Sequence, residues 1–154
     1  MLIGSGEWIG QGRFVVQGQS LGVPVKVRFR VQSDEHGEHF EGSLTTGDEP
    51  AQQEDQAFAV RVLPDDSGTY DVTASGPWTA LSGTGKLESE PNLTLLWADD
   101  ASVSASVALF RTGTAIGCRG FYRRDGGVVT WEVALERKSV VPTGGNVVTL
   151  RRRR

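Results

Sequence analysis

The sequence predicts an all-β protein, an antiparallel up-and-down meander barrel of about ten strands. Three observations predict it. Apolar and polar residues alternate in short stretches along nearly the whole chain, and turn signals separate those stretches at regular intervals. Glycine, at 20 of 154 residues, falls repeatedly inside them. Period-two alternation is the mark of a half-buried strand, and many such strands at short, even spacing mark a sandwich or a barrel.

The first stretch is "GEWIGQG", residues 6–12, continuing to Val16. Trp8, Gly10, Gly12, Phe14 and Val16 share a face. Glycine weakens a strand interior unless the backbone must bend or be closely approached, so this strand is expected to curl. "VPVKVRFRV", residues 23–31, alternates most cleanly: Val23, Val25, Val27, Phe29 and Val31 against Lys26, Arg28 and Arg30. The basic stripe reads as a solvated outer face that also discourages edge pairing. Next come Phe40, Gly42 and Leu44, then Phe58, Val60 and Val62, then Tyr70, Val72 and Ala74. Leu81, Gly83, Gly85 and Leu87 follow, then Leu93, Leu95 and Trp97, then Val103, Ala105, Val107 and Leu109. Ile116, Cys118, Gly120 and Tyr122 precede the last set, Val129, Trp131, Val133 and Leu135. Each set is read as an inner face.

Between the stretches lie "SDEHGE", "PDDSG", "SGPW", "ADDAS", "RTGT" and "RRDGG". Asp125-Gly126 suits a tight primed hairpin turn, and "PDDSG" reads similarly. Residues 46–56, the longest connection, have room for one helical turn. Consecutive hairpins that bury one face form a sandwich or a closed barrel, and inward glycines (Gly10, Gly12, Gly83, Gly85, Gly120) favour the coiling that closure needs. One barrel domain over residues 1–140 is expected, with a flexible tail over 141–154.

Composition narrows the function class. Apolar residues make up 38%, and glycine brings the share to about half, the usual globular figure. A net charge of −3 argues against general nucleic-acid binding. Cys118 is the single cysteine, so no internal disulfide framework exists and a reducing compartment fits. "MLIGSGEW" lacks the basic and apolar regions of a signal peptide, and no apolar run is long enough to span a membrane as a helix. The expectation is a cytoplasmic protein, monomer or homodimer, with no nucleic-acid or membrane partner.

Gly6–Gly12 resembles the first-strand signature of the calycin barrels (the lipocalin and fatty-acid-binding superfamily), most closely the Gly-x-Trp-x-Gly-x-Gly pattern of nitrobindin-like proteins. "VVTWEVALERK", ending near Arg137, resembles a calycin closing strand. The resemblance implies an eight- to ten-stranded barrel with a central cavity, and an arginine, Arg137, covering Trp8 at the closed end. It also implies binding of fatty acids, retinoid-like molecules or haem. Nitrobindins hold haem through a late-strand histidine, and this chain has none after His39. No haem or other cofactor is therefore expected.

Candidate chemistry is sparse. His36 and His39, with Asp34, Glu35 and Glu38, are metal-ligand types, but residues three apart on a strand face opposite ways, and a solvated hairpin tip accounts for them. Cys118 reads as an apolar filler. Arg151–Arg154 read as a solvated tail, and Asn92-Leu93-Thr94 matches a glycosylation sequon that has no meaning without secretion. No catalytic residue is assigned.

The leading reading is a barrel holding a small hydrophobic or amphipathic molecule. Its ligand-binding candidates are Phe29, Glu38, Phe40, Tyr70, Tyr122 and Trp131, with Trp8 and Arg137 as a structural lid. The wider inner set adds Phe14, Val25, Val27, Val60, Leu95 and Val107. The alternatives are a barrel enzyme, isomerase or hydratase, with Glu38 and Tyr122 as base and acid, and a filled-core interaction module.

Overall fold

The structure, a computed structural model, describes residues 1–47 and 54–139. It contains ten strands: β1 (Gly6–Val16), β2 (Val23–Ser33), β3 (Glu38–Thr46), β4 (Glu54–Pro64), β5 (Tyr70–Ser75), β6 (Leu81–Lys86), β7 (Asn92–Trp97), β8 (Val103–Thr112), β9 (Ala115–Arg124) and β10 (Gly127–Arg137). Each pairs antiparallel with its sequence neighbour, and β1 pairs with β10 to close the barrel. Among the described residues there is no helix. The fold is the expected all-β meander.

Closure depends on inward glycines. Gly12 lies opposite Val133 on β10 and Val25 on β2. A Cβ there would collide with the Glu132 carbonyl and the Val133 backbone. Only a residue without a side chain allows β10 to fold in this closely, which is the tight coil a barrel wall needs. Gly83 meets β7 in the same way, against the Leu95 carbonyl. The predicted primed turn is present at Asp125 (φ 50°) and Gly126 (φ 80°), joining β9 to β10. "PDDSG" differs: it forms a longer loop, with the Asp65 amide bonded to the Thr69 carbonyl and the Gly68 amide to the Asp65 carbonyl.

The inner residues form two clusters on opposing walls. One joins β4 to β8 through Val62, Val72, Ala74, Leu81, Leu96, Val103 and Ala105. The other joins β1, β2, β3 and β10 through Trp8, Val25, Phe29, Val31, Leu44, Val133 and Leu135. Phe40 and Trp78 pack against both. Burying these side chains supplies the main folding drive, about 1.5–3 kcal/mol for each large one.

Two expectations are corrected. Leu93, Leu95 and Trp97 point outward, at 48%, 54% and 45% exposure. Asn92, Thr94 and Leu96 take the inner face of β7, so Leu95 is no lumen residue. The cause is Asn92, whose buried amide donates to the Leu87 carbonyl (2.9 Å) and the Ser89 carbonyl (3.0 Å) and accepts from the Leu2 amide (2.6 Å). Three backbone bonds fix it inside, and parity does the rest. The same burial removes Asn92 from any role as an exposed sequon. Secondly, the basic stripe on β2 guards no edge, since a closed barrel has none. It forms cross-strand ion pairs instead, Arg30 to Glu7 at 2.7 Å and Arg28 to Asp55 at 3.5 Å. The suggested helical turn in 46–56 falls largely on residues outside the described set. The proposed tail and Arg151–Arg154 lie outside it entirely.

Candidate functional site

The two ends of the barrel differ. At the end where β1 begins and β10 finishes, residues 1–5 cross the opening. Ile3 is buried in the core beside Trp8. Leu2 reaches Asn92 on β7, four strands around the ring from β1. The Trp8 indole donates to the Gly4 carbonyl (2.9 Å), and the Arg137 guanidinium donates to the Ser5 carbonyl (2.5 Å). Trp8 and Arg137 are paired across β1 and β10. Each holds the crossing segment, while the ring partner of Trp8 is Phe29, stacked at 6.4 Å and 6°. Among the described residues a cation–π contact forms on the outer wall instead, with Arg119 over Phe110 at 5.1 Å.

At the other end the loop joining β5 and β6 turns Trp78 inward. Its ring stands 6.1 Å from that of Phe58. Phe58 is 6.2 Å from Phe29, and Phe40 is 6.1 Å from Phe29. An unbroken row of rings therefore runs Trp8–Phe29–Phe58–Trp78 along the lumen, with Phe40 beside it. Across from this row, β8, β9 and β10 present Val107, Leu109, Cys118, Tyr122 and Trp131. All five face inward by register, and all retain some solvent access. Trp131 sits edge-on to Phe14 at 6.4 Å and occupies the space that Gly120 leaves free.

The six ligand-binding candidates share the inner face but not one place. Phe29 and Phe40 belong to the ring row, and Tyr122 and Trp131 to the wall opposite. Glu38 and Tyr70 stand at the rim of the closed end. The Ser33 hydroxyl donates to Glu38 (2.5 Å), and the Tyr70 hydroxyl donates to Glu88 (2.9 Å), which raises the phenol above its usual range. Tyr122 lies two residues before Arg124, at the opposite end. The structure therefore does not bring Glu38 and Tyr122 together as a base and an acid.

The histidines form no metal centre, and among the described residues no group of metal-ligating side chains does. Asp34 closes the tip by accepting from the His36 amide (2.8 Å) and the Gly37 amide (3.1 Å), which holds its carboxyl below the usual range. His39 lies 3.0 Å from Asp34 on the outer side.

Cys118 keeps some accessible surface, yet its thiol behaves as a buried group. Desolvation pushes it up to about 11, and a hydrogen bond from Trp131 offsets only part of this. Between pH 9 and 11 the native state holds a proton that the unfolded chain releases, so stability falls as pH rises through that window. The loss is expected to reach about 2–3 kcal/mol, read as a fall in the urea midpoint. Cys118→Ala should lack this component, and an identical alkaline profile in that variant would disprove the assignment. Iodoacetamide at pH 8 should leave native Cys118 unmodified, since the thiolate is the nucleophile.

Two further concavities of about 670 Å³ each lie on the outer wall over β1 and β2. The first is rimmed by solvated side chains that include the Arg28–Asp55 pair, and the second by exposed residues such as Gln11, Arg13 and Lys26. Apolar, enclosed surface is what a small-molecule site needs, and here it lies inside the barrel.

No protein-family profile and no curated protein matches the chain. Among solved structures it is similar to the S-type phycobiliprotein lyase of Guillardia theta, with a TM-score of 0.65 and 9% identity over 88% of each chain. At that identity the likeness is one of fold. It agrees with the barrel that the calycin resemblance implied.

Proposed function

We propose that this protein binds a small hydrophobic or amphipathic molecule in the barrel lumen. The ligand enters at the end opposite residues 1–5. One observation carries the reading. Val107, Leu109, Tyr122 and Trp131 point inward between the two core clusters, at different heights along the barrel, yet keep solvent access, so the lumen is apolar and reachable. Ligand sites are concave and mostly apolar, with few polar groups. A barrel of about ten strands is also wider than side chains readily fill. The first-strand Gly6–Gly12 pattern and the likeness to the lyase, which stands on a similar fold, support a calycin-type binding barrel. Haem held through a late-strand histidine is not part of this reading, because the chain has no histidine after His39.

The test compares the native and denatured mass spectra of freshly purified protein, with titration by 1-anilinonaphthalene-8-sulfonate. A discrete excess mass lost on denaturation, or saturable dye binding, is expected. Val107→Trp fills the reachable zone opposite Gly120 and should weaken dye binding at least tenfold, with an unchanged circular dichroism spectrum. A wild-type protein that carries no excess mass and binds no dye would overturn the reading.

A further inference from the structure

The indole nitrogen of Trp78 is fully enclosed and has no hydrogen-bond partner. That is unusual. Buried N–H groups are nearly always paired, because an unpaired one forfeits its bonds to water without replacement. Trp8, also in the lumen, follows the rule and donates to the Gly4 carbonyl. Trp78 also differs in its attachment. It sits on no strand, but on the loop between β5 and β6, after Gly76 and Pro77, and its neighbours Thr79 and Ala80 are exposed. From there its ring reaches in to touch Phe58 and both core clusters. A loop-borne ring can move more freely than a ring anchored in a wall.

We infer that Trp78 is a movable plug at the mouth of the lumen, and that its idle N–H is the donor for a hydrogen-bond acceptor on the ligand. The inference rests on the lumen-binding reading above and deepens it by naming the ligand class. With no ligand, the ring packs at one side of the mouth against Phe58 and its N–H goes unpaired. A ligand that parts the ring from Phe58 relieves this when it offers an acceptor. Trp8, Phe29, Phe58 and Trp78 present a row of π faces beside the path, which suits a flat conjugated body through offset stacking. The ligand is therefore a flat, largely apolar molecule carrying a carbonyl or similar acceptor. A pure hydrocarbon of the same shape gains the stacking but leaves the N–H unpaired.

The experiment uses two probes of one shape, fluorene and 9-fluorenone, which differ by a carbonyl. Each is titrated by displacement of 1-anilinonaphthalene-8-sulfonate. The proteins are the full chain and the same chain with 3-benzothienylalanine at position 78, which keeps the bicyclic shape and deletes the N–H. Trp78→Phe is a second variant. The quantity read is the ratio of the two dissociation constants, so the different water solubilities of the probes cancel between proteins. Removing the N–H should shift the ratio against fluorenone by about five- to tenfold, the worth of one hydrogen bond. Fluorene affinity should stay within about twofold in the benzothienyl variant. Both probes binding with a ratio unchanged by either substitution would overturn the role of Trp78 and leave lumen binding standing. Failure of the dye and both probes to bind the wild type would overturn both.

Discussion

Gly12→Ala is expected to destabilise the protein by at least about 3 kcal/mol, beyond the usual range for a single added methyl group. The new Cβ has nowhere to go. It falls on the Glu132 carbonyl and the Val133 backbone, and a backbone cannot rotate aside as a side chain does. β1 and β10 must separate locally, and that is the seam where the chain closes on itself. Opening it would create two strand edges in a protein that has none, with unpaired amides and carbonyls. Aggregation on expression is therefore the expected companion phenotype, measured by the soluble fraction alongside the urea midpoint. Gly127→Ala is the control: its Cβ would meet only an ordinary contact with the Arg124 carbonyl at 3.4 Å, and the change should stay within about 0.5 kcal/mol. Equal effects of the two substitutions would mean that glycine at position 12 contributes only chain entropy, and that the tight coil is not what closes the barrel.

The glycine in "GEWIGQG" was readable because its reason is local: a strand with small residues on one face can coil, and the sequence alone shows which face. The alternation of Val23 to Val31 was readable for the same reason. β7 was not. In "NLTLLW" one face is wholly apolar (Leu93, Leu95, Trp97) and the other carries only one apolar residue, Leu96, beside Asn92 and Thr94, so a rule that puts apolar side chains inside selects the wrong face. The deciding bonds join Asn92 to Leu87, Ser89 and Leu2, and the last of these spans ninety positions of sequence. The site shows the same limit. Alternation places Phe29, Glu38, Phe40, Tyr70, Tyr122 and Trp131 on one inner face. It says nothing of height along the barrel, so it paired Glu38 with Tyr122 although they stand at opposite ends. Trp78 was passed over because "SGPW" carries a turn signal and no period. Its one available clue was a large aromatic residue in a loop, where exposure would be unfavourable unless the ring turned inward.

Asn92→Leu is the second large effect. The substitution suits the apolar interior in size and polarity, and on hydrophobicity alone it should stabilise. The bonds argue the reverse. Losing the amide leaves the Leu87 and Ser89 carbonyls and the Leu2 amide without partners at once. At about 1 kcal/mol net for each bond, the loss is about 3 kcal/mol. For a chain of this size that is a fall in Tm of about 10 °C. Asn92→Asp should be at least as harmful, because a carboxylate accepts from Leu2 but cannot donate to the two carbonyls. The loss is also directional. With Leu2 released, residues 1–5 are still held at the closed end by Trp8, Arg137, the Ser5–Ser33 hydroxyl pair and the packing of Ile3. The amides of residues 2–5 should then exchange with deuterium faster, while the β1–β10 seam keeps its protection until global unfolding. An Asn92→Leu variant as stable as wild type, with residues 2–5 equally protected, would show that apolar packing sets the parity of β7. The outward turn of Leu93, Leu95 and Trp97 would then need another cause.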